Sequence, residues 1–470
     1  MRNRNVRLIG AAAAFVALAT VVSGCGSDGG GSEGSGDKTE TGGGGDLEAI
    51  RVPQDYETIQ EAVDNAAEGD LVLVDEGTYN EAVTVETPDI TIRGVDRNKV
   101  ILDGEFELEN GIRVVDTDGV VVENMTARNY VSNGFFWTGS DRYRGSYLTA
   151  YRNGDYGIYA FDAYHGQLDH SLGSGSPDAG FYIGECYKCD AVIDDVISEY
   201  NGLGYSGTNS GGDLYIINST FRNNRAGIVP NAGSYELCYP GRENTIVGNI
   251  VHDNNYLEGP GIDVSLLAQG NGILLAGSIN NVIERNLVYD HERTGIAAVP
   301  FPEEDASDTP PTGDELTKPC DEVKDDPVPE ESPGLVLWEA TGNRVVDNVV
   351  EGSGLADIAS GTIPADAENL KRLDNCFSGN NPAKTSPTDL EALAPCEGEG
   401  SGGDFAAGAF DLLVLINEQP PAPAKDSYQT TPEPEAQDNM PDALTKAWEK
   451  FEGPETPDVD AITVPEKPTS

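Results

Sequence analysis

Short runs of alternating hydrophobic residues, each opened by a glycine, recur between Gly111 and Gly354. The first of these glycines are Gly111, Gly134, Gly157, Gly180, Gly204 and Gly227, and the pattern resumes at Gly272, Gly295 and Gly334. The first six are separated by 23, 23, 23, 24 and 23 residues. A fixed period in this range is typical of a solenoid, in which neighbouring coils bury a common core.

Two offsets within the repeat carry the prediction further. The residue after each glycine is apolar and predicts an inward strand position: Ile112, Phe135, Ile158, Phe181, Tyr205, Ile228, Ile273, Ile296 and Leu335. A polar residue follows 14 positions after several of the glycines: Ser171, Asp194, Asn218, Asn286 and Asn348. A polar residue at one place in successive coils predicts a ladder of side chains at a turn.

The chain before the repeat predicts a cap over the first coil. Residues Tyr56 to Ala67 place apolar side chains at helical spacing, with Thr58 at the N-cap position, and the strand Leu71–Val74 follows. The capping segment contains Ile59-Gln60-Glu61-Ala62-Val63, Gly69-Asp70, Gly77-Thr78-Tyr79 and Ile92-Arg93-Gly94. It resembles the N-terminal cap of right-handed parallel β-helix proteins of the pectate-lyase-like superfamily. The run Asp178–Cys186 resembles a coil of exported bacterial β-helix repeat proteins.

The resemblance implies an all-β fold, a single right-handed parallel β-helix with coils of about 23 residues and a short N-terminal capping helix. It also implies a superfamily rich in carbohydrate-polymer lyases, epimerases and hydrolases, which also contains accessory proteins for copper enzymes. The motifs of alginate epimerases and of polygalacturonases are not recognisable in this chain, nor are those of pectate lyases.

Departures from the period locate the remaining segments. We expect the β-helix over residues 48–360, with insertions near 231–242, 256–270 and 300–333. A C-terminal cap is expected over 361–417, including a strand at Phe410–Ile416 that closes the last coil. Residues 418–470 are rich in proline, acidic and small residues, which predicts a largely disordered tail containing at most a short helix over Ala443–Phe451.

The first 24 residues predict a signal peptide. Arg2, Arg4 and Arg7 precede an apolar stretch that is too short for a comfortable membrane span, and Val22-Ser23-Gly24-Cys25 resembles a bacterial lipobox. That resemblance implies lipidation of Cys25, a flexible Gly/Ser/acidic tether over residues 25–47, and a protein held at the outer face of the cell membrane. An ordinary signal peptide cleaved nearby and an uncleaved anchor are the alternatives.

Six further cysteines favour disulfide bonds, since an even count in an exported chain is typical of them. Cys376 and Cys396 bracket one loop, Cys238 and Cys320 both lie in insertions, and Cys186 and Cys189 are close enough to pair with each other. The last two also resemble half of a zinc site, but no second pair of ligands completes it, so no metal site is assigned.

The charge balance limits the classes of partner that we expect. With 29 basic and 81 acidic residues, the chain has a formal net charge of −52. Nucleic acid is therefore not an expected partner, because phosphates would be repelled.

Stacking the coils brings a set of outward residues together, because equal offsets in neighbouring coils lie about 4.8 Å apart. Candidate substrate-binding aromatic residues are Phe136, Tyr159, Tyr182, Tyr164 and Tyr187, and candidate catalytic residues are Asp162, Glu185, His165, Lys188 and Arg142. Carboxylates beside histidine or lysine can move protons or bind a cation, with calcium as the candidate. The alternative is structural: the aromatic ladder stabilises the solenoid by stacking, and the charged residues are solvated at turns. The same holds for Asp169, His170, His252 and His291 near the other polar turn.

Three functions are consistent with these observations. The first is binding or processing of a carbohydrate polymer along the aromatic and acidic face, by a lyase, epimerase or hydrolase if the protein is an enzyme. The second is a non-catalytic binding or structural module of the cell envelope. The third is an accessory role for an extracytoplasmic metalloenzyme, which three methionines and four histidines support little.

Overall fold

The computed structural model describes residues 47–262, 264–304, 320, 323, 326, 328–329, 335–398, 400 and 405–468. The predicted signal peptide, the predicted lipidation site Cys25, almost all of the predicted tether and most of the 300–333 insertion lie outside the described residues. The fold below is that of the described part of the chain.

Two long parallel sheets form the body of the molecule. The first sheet contains Ile50–Val52, Leu71–Val74, Gly77–Tyr79, Thr91–Gly94, Val100–Asp103, Val121–Arg128, Arg144–Tyr151, Gln167–Asp169, Leu172–Ser174, Cys186–Tyr187, Ala191–Asp194, Ile197–Glu199, Ser210–Ile217, Thr220–Arg222, Arg242–Val247, Ile250–His252, Val282–Glu284, Leu287–Tyr289, Arg344–Val346, Val349–Glu351 and Cys376–Ser378. The second contains Val83–Val85, Ile112–Val115, Phe135–Thr138, Tyr156–Phe161, Ala179–Gly184, Leu203–Thr208, Ala226–Asn231, Asn271–Ala276, Thr294–Val299, Ala356–Ser360 and Thr385–Ser386.

The pairing in the second sheet follows the predicted inward positions, except that the prediction for Leu335 is wrong, because Leu335 lies in the separate antiparallel strand Leu335–Trp338. Ile112 pairs with Phe135, Phe135 with Ile158, Ile158 with Phe181 and Phe181 with Tyr205, all in parallel register. These side chains are buried in one continuous core that runs along the solenoid. Because each strand pairs with the equivalent strand of the next coil, the chain forms a parallel β-helix.

Asparagine ladders run along the inside of the turns. In one ladder the side-chain amides of Asn249, Asn286 and Asn348 each donate to the side-chain oxygen of the next member, at 3.0, 2.9 and 2.9 Å, and Asn380 ends the series. Asn286 and Asn348 thus confirm the predicted ladder. The prediction is wrong for Asp194 and Asn218, which hydrogen-bond to each other outside this ladder. The residue next to the ladder is Ser219, whose backbone N–H donates to the side-chain oxygen of Asn249.

The helix Ile59–Asp64 confirms the predicted cap. The side chain of Thr58 accepts a hydrogen bond from the backbone N–H of Glu61 at 3.1 Å. Ile59, Ala62 and Val63 are buried against the first coil. The other helices are Val264–Leu267, Ala367–Leu373, Leu390–Leu393 and Leu412–Asn417, with 3₁₀ turns at Ser427–Thr430 and Val459–Ala461.

The strand expected at Phe410–Ile416 is wrong. Residues Leu412–Asn417 form a helix, whose first N–H groups are capped by the side chain of Asp411. Phe410 and Leu412 pack on a buried cluster outside the second sheet, together with the antiparallel strands Phe301–Glu304 and Leu335–Trp338. The last place in the second sheet is already taken by Thr385–Ser386. As a helix, the run pairs its own backbone groups while Phe410 and Leu412 stay packed on the cluster.

All three predicted disulfides are present. They join Cys186 to Cys189, Cys238 to Cys320 and Cys376 to Cys396. The second of these ties the insertion after Asn231 to the insertion that begins at Pro300. Such bonds are typical of proteins that fold in an oxidising compartment.

The C-terminal segment, whose composition predicts a largely disordered tail, has defined contacts with the β-helix. We call residues 427–467 the strap. It is mostly coil, with two 3₁₀ turns. Ala443–Phe451, where a short helix is predicted, forms turns and coil instead. Arginines of the solenoid donate to its backbone carbonyl groups, for example Arg152 to Thr431 at 2.7 Å. No helix in the described part of the chain is both long and apolar enough to cross a membrane.

Candidate functional site

The predicted aromatic ladder is formed on the outside of the second sheet. The rings of Phe136 and Tyr159 stack at 5.1 Å between centroids, and those of Tyr159 and Tyr182 at 4.8 Å. Arg113 lies 6.0 Å from the ring of Phe136 and continues the column. Stacking occupies the faces of the rings, so the ladder directs ring edges and phenol groups outward. It therefore lacks the open ring faces on which a sugar would stack.

Carboxyl groups surround the far end of this ladder. The hydroxyl of Tyr182 donates to Glu236 at 2.7 Å, and that of Tyr156 donates to Asp178 at 2.9 Å. Burial, followed by repulsion from Glu185, raises the pKa of Glu236 well above its usual value. The Glu236 carboxyl is therefore a proton donor that stays protonated at higher pH than an ordinary glutamate.

Asp162 and Glu185 are buried in the turns that follow the second sheet. Each side chain is only 4% exposed, and both residues have left-handed backbone, with φ of 47° and 50°. One carboxylate oxygen of Glu185 accepts a hydrogen bond from the backbone N–H of Leu237 at 2.6 Å. Glu185 therefore holds the 231–242 insertion in place as well as lying near Glu236.

The other predicted residues lie along the same edge, mostly in pairs. His165 Nδ1 contacts Asp141, and its Nε2 lies 3.6 Å from Asp190. Arg142 forms an ion pair with Asp89 at 2.8 Å. The remaining members are Tyr164, which is 7% exposed, Tyr187, which donates to Glu243 at 3.0 Å, and Lys188, which is exposed. Their catalytic and binding roles stay predictions.

A second site lies on the outside of the first sheet, where the strap crosses it. Here a pocket of about 530 Å³ is lined by Arg144, Ser146, Tyr147, Asp169, His170, Met440, Pro441, Asp442, Thr445 and Lys446. This volume lies within the range of about 300–1,000 Å³ typical of small-molecule sites. We call it the strap pocket.

A buried carboxylate organises the strap pocket. Asp169 is 2% exposed and accepts from both Nε and Nη2 of Arg144, at 3.1 and 2.9 Å. It also accepts from the hydroxyl of Ser146 at 3.0 Å and lies 2.9 Å from Nδ1 of His170. The other imidazole nitrogen, Nε2, lies 3.5 Å from the exposed Asp195 carboxylate. Asp169 thus fixes the orientation of His170 and leaves Nε2 at the surface.

The charges in the strap pocket shift one another. The hydrogen bond that the Asp169 carboxylate accepts from Nδ1 of His170 raises the pKa of His170 above its usual value, although burial opposes this. Burial raises the pKa of Asp169, but His170 and Arg144 outweigh it and bring that pKa below its usual range. The ring of Tyr147 stacks on His170 at 4.5 Å, and burial raises the pKa of its phenol. The pocket therefore combines a histidine whose pKa is raised with a phenol whose pKa is also raised.

Sequence patterns identified Asp169 and His170 only as residues near a polar turn. The register places Glu123, Ser146 and Asp169 side by side in successive strands. Comparing residues at equal positions in successive coils of the first sheet could therefore have found the Ser146 and Asp169 part of the pocket. The strap residues lack such a signal, since they lie outside the repeat.

A metal site does not emerge from the geometry. Within the described ranges, no group of three or more His, Cys, Asp or Glu side chains is arranged to hold a metal ion. The pairing of Cys186 with Cys189 removes both thiolates from metal binding. A dependence on calcium stays a prediction.

Comparisons with known proteins give structural likenesses only. No protein-family model matches this chain, and no curated protein matches its sequence. Two similar solved structures are A-modules of mannuronan C-5 epimerases of Azotobacter vinelandii. For AlgE4 the identity is 14%, covering 77% of this chain and 98% of that one, with a TM-score of 0.46. For AlgE6 the identity is 15%, covering 72% and 93%, with a TM-score of 0.44.

A third similar structure is ORF18 of Geobacillus virus E2, with 11% identity, coverage of 67% of this chain and 60% of that one, and a TM-score of 0.45. At TM-scores below 0.5 these likenesses are weak. The parallel β-helix of this chain stands on its own strand pairing.

Proposed function

We propose that this protein binds a carbohydrate polymer and processes it by proton transfer in the strap pocket. The observation that carries the proposal is His170, which the buried Asp169 orients at the wall of a pocket that also contains Arg144 and Lys446. A fixed imidazole beside cationic groups suits removal of a proton from a sugar carbon next to a carboxylate.

The chemistry divides among these residues as follows. Neutral His170 takes the proton through Nε2, while Lys446 neutralises the sugar carboxylate on which negative charge develops, since Arg144 is already paired with Asp169. Elimination then forms a carbon–carbon double bond, breaks the neighbouring glycosidic C–O bond and passes a proton from Tyr147 to the departing oxygen. Return of a proton to the opposite face of the carbon, without that cleavage, gives an epimer.

Hydrolysis is the less favoured reaction in this pocket. A glycosidase ordinarily needs two carboxyl groups placed across the scissile bond. The buried carboxylate of Asp169 is already occupied by Arg144, Ser146 and His170. The proposal is therefore a lyase or an epimerase.

The test uses the purified protein with polygalacturonate, alginate and neutral xylan. A lyase gives an unsaturated product with ultraviolet absorbance, and an epimerase exchanges the sugar proton for deuterium in D₂O. We expect His170→Ala to abolish either signal. His252→Ala is the matched control, because His252 also contacts an aspartate, Asp253 at 2.7 Å, and stacks on a tyrosine, Tyr289, but lies away from the strap pocket. Loss of turnover in both variants, or in neither, overturns the role of His170.

The aromatic and acidic face of the second sheet is the alternative place for the same activity. Glu236 is its proton donor, and Asp162 and Glu185 are its candidate carboxylates. If Glu236→Gln or the pair Asp162→Asn and Glu185→Gln abolishes turnover while His170→Ala does not, this face is the active site. Retention on polymer-coated beads without turnover in any assay favours a non-catalytic binding module.

We also propose that the protein is exported and anchored by a lipid at Cys25. The support is the segment before Cys25 together with three disulfide bonds, which persist in oxidising compartments. Metabolic labelling of bacteria with an alkyne fatty acid should label the wild-type protein and not Cys25→Ala. Equal labelling of both would exclude this anchor.

A further inference from the structure

One row of side chains runs along the outside of the first sheet through the strap pocket. The parallel register aligns, in order along the solenoid, Arg93, Glu123, Ser146, Asp169, Asp194, Ile217 and Val247. We call this the central row. Ser146 and Asp169, in its middle, form the floor of the strap pocket. A polymer lying along the solenoid would have to follow the central row in both directions from the pocket.

The strap blocks the central row at the end near the N-terminal cap. The guanidinium of the buried Arg93 donates to the backbone carbonyls of Ala443 and Lys446. Asn124 accepts from the backbone N–H of Met440 at 2.8 Å, and Trp448 donates to the carbonyl of Asp89 at 3.1 Å. The chain therefore crosses the row directly over Arg93.

The strap crosses the central row a second time beyond the pocket. Ile462 packs against Val192, Ile217 and Val247, the last two of which belong to the row. Nearby, Arg285 donates to the carbonyl of Val459 at 2.6 Å. Near the end of the strap, Lys467 pairs with Glu351 at 3.0 Å and lies 3.8 Å from the centre of the Tyr289 ring.

The strap also bounds the pocket at its sides. Arg97 donates to the carbonyl oxygens of both His170 and Asp438, at 2.9 and 3.3 Å, which ties one limb of the strap to the pocket wall. On the other limb, the ring of Phe451 lies 5.9 Å from the Arg144 guanidinium. Gly453 lies beside His165. The strap therefore lies on both sides of Ser146 and Asp169 along the central row.

We infer that the strap closes both ends of an open groove along the central row. The resulting pocket takes the end of a sugar chain or a short oligosaccharide and rejects the interior of a long polymer. This inference rests on the function proposed above. Met440, Asp442 and Lys446 form the wall that stops the chain, and the crossing at Ile462 closes the opposite direction.

The experiment measures how much polymer the full-length protein binds as the number of chain ends changes. The probe is polygalacturonate, or alginate if that is the polymer the protein retains. Equal masses of intact and partly depolymerised probe are titrated by calorimetry. We expect binding capacity per mass to rise in proportion to the number of ends. Constant capacity per mass overturns chain-end recognition and leaves the proposed function standing, whereas no binding to any polymer or oligosaccharide overturns both.

Strap variants test the cause of the selectivity. Trp448→Ala removes the indole that donates to the carbonyl of Asp89 at the first crossing, and Ile462→Asp introduces a charge where the strap packs on Val192, Ile217 and Val247 at the second. The double variant should release both crossings and bind intact polymer with a capacity several-fold closer to that of the depolymerised sample. Leu444→Ala is the control on the same strap, because Leu444 is 58% exposed, and it should keep wild-type selectivity. If the double variant folds, as judged by circular dichroism, yet keeps full end selectivity, the strap is not the barrier.

Discussion

Asp169 and His170 are consecutive residues whose side chains meet at 2.9 Å, between a buried carboxylate oxygen and Nδ1 of the imidazole. The left-handed backbone of His170, with φ of 49°, turns the chain between two strands and allows this contact. Arg144 and Ser146 hold the same carboxylate from the preceding coil. The pair is therefore fixed at Nδ1, while Nε2 faces the exposed Asp195 carboxylate at 3.5 Å.

Replacing Asp169 with Asn should lower the pKa of His170. Asp169 is the main cause of the raised value, so its loss should bring the pKa down towards the ordinary value of about 6.5. In the wild type, the stability that this contact supplies is fully present below about pH 6.5 and is lost as pH rises through the folded-state pKa. Histidine titration by NMR measures the shift. Asp442→Asn, in the same pocket but not bonded to His170, is the control, and an unchanged His170 pKa in Asp169→Asn would contradict the assignment.

Replacing Asn286 with Ala should destabilise the β-helix strongly. Asn286 is fully buried, accepts from Asn249 and donates to Asn348 and to the carbonyl of Ile246. Each buried group left unpaired costs about 1–3 kcal/mol, so we expect a loss of about 3 kcal/mol or more in the free energy of unfolding. Urea unfolding followed by circular dichroism measures it. The exposed Asn417→Ala should change stability by less than about 1 kcal/mol, and equal effects of the two changes would refute the ladder's role.

Replacing Glu236 with Gln should alter how stability depends on pH. The folded-state pKa of Glu236 lies above its unfolded value of about 4.3, so its stabilising effect is present below that pH and is lost as pH rises through the folded pKa. Gln cannot ionise, so the free energy of unfolding of the variant should increase relative to that of the wild type between pH 5 and pH 8. Urea midpoints at several pH values test this. A stability difference that stays constant across this range would show that Glu236 ionises normally.

Removing the disulfide between Cys376 and Cys396 should loosen the C-terminal cap. The two residues are separated by 20 positions, and closing a loop of this size stabilises the folded state by about 3 kcal/mol in the chain-entropy account. The double change to Ser should lower the melting temperature and speed proteolysis of residues 361–417. Limited proteolysis with mass spectrometry maps the cuts, and cuts that fall first in the N-terminal coils would contradict this expectation.

The period of the repeat was enough to predict the stacked strands, the inward core and part of the asparagine ladder. It also placed Phe136, Tyr159 and Tyr182 in one column, and the structure stacks them. Stacking uses the ring faces, and a role of this column in substrate binding stays a prediction. Offsets along a sequence give neighbours but not the direction in which a ring is turned.

The sequence alone did not predict the helix at Leu412–Asn417 or the contacts of the strap. An apolar run of that length suits a strand or a helix equally, and the sequence does not show that Thr385–Ser386 forms the last strand of the second sheet while the run packs as a helix. The composition of residues 418–470 lacks the apolar residues that predict a packed segment. The structure holds this segment largely by hydrogen bonds from arginines to backbone carbonyls.

The sequence by itself determined the solenoid and the neighbours within it, because coils of near-constant length bring equal offsets together. It also suggested the three disulfide pairs, which the structure contains. Only the tertiary structure decided the strap pocket, which joins Asp169 and His170 to Met440 and Lys446 from a distant part of the chain. The physical reason is that the strap is held largely through its backbone carbonyl groups, which every residue has, and otherwise through side chains such as Ile462 that lie outside the repeat.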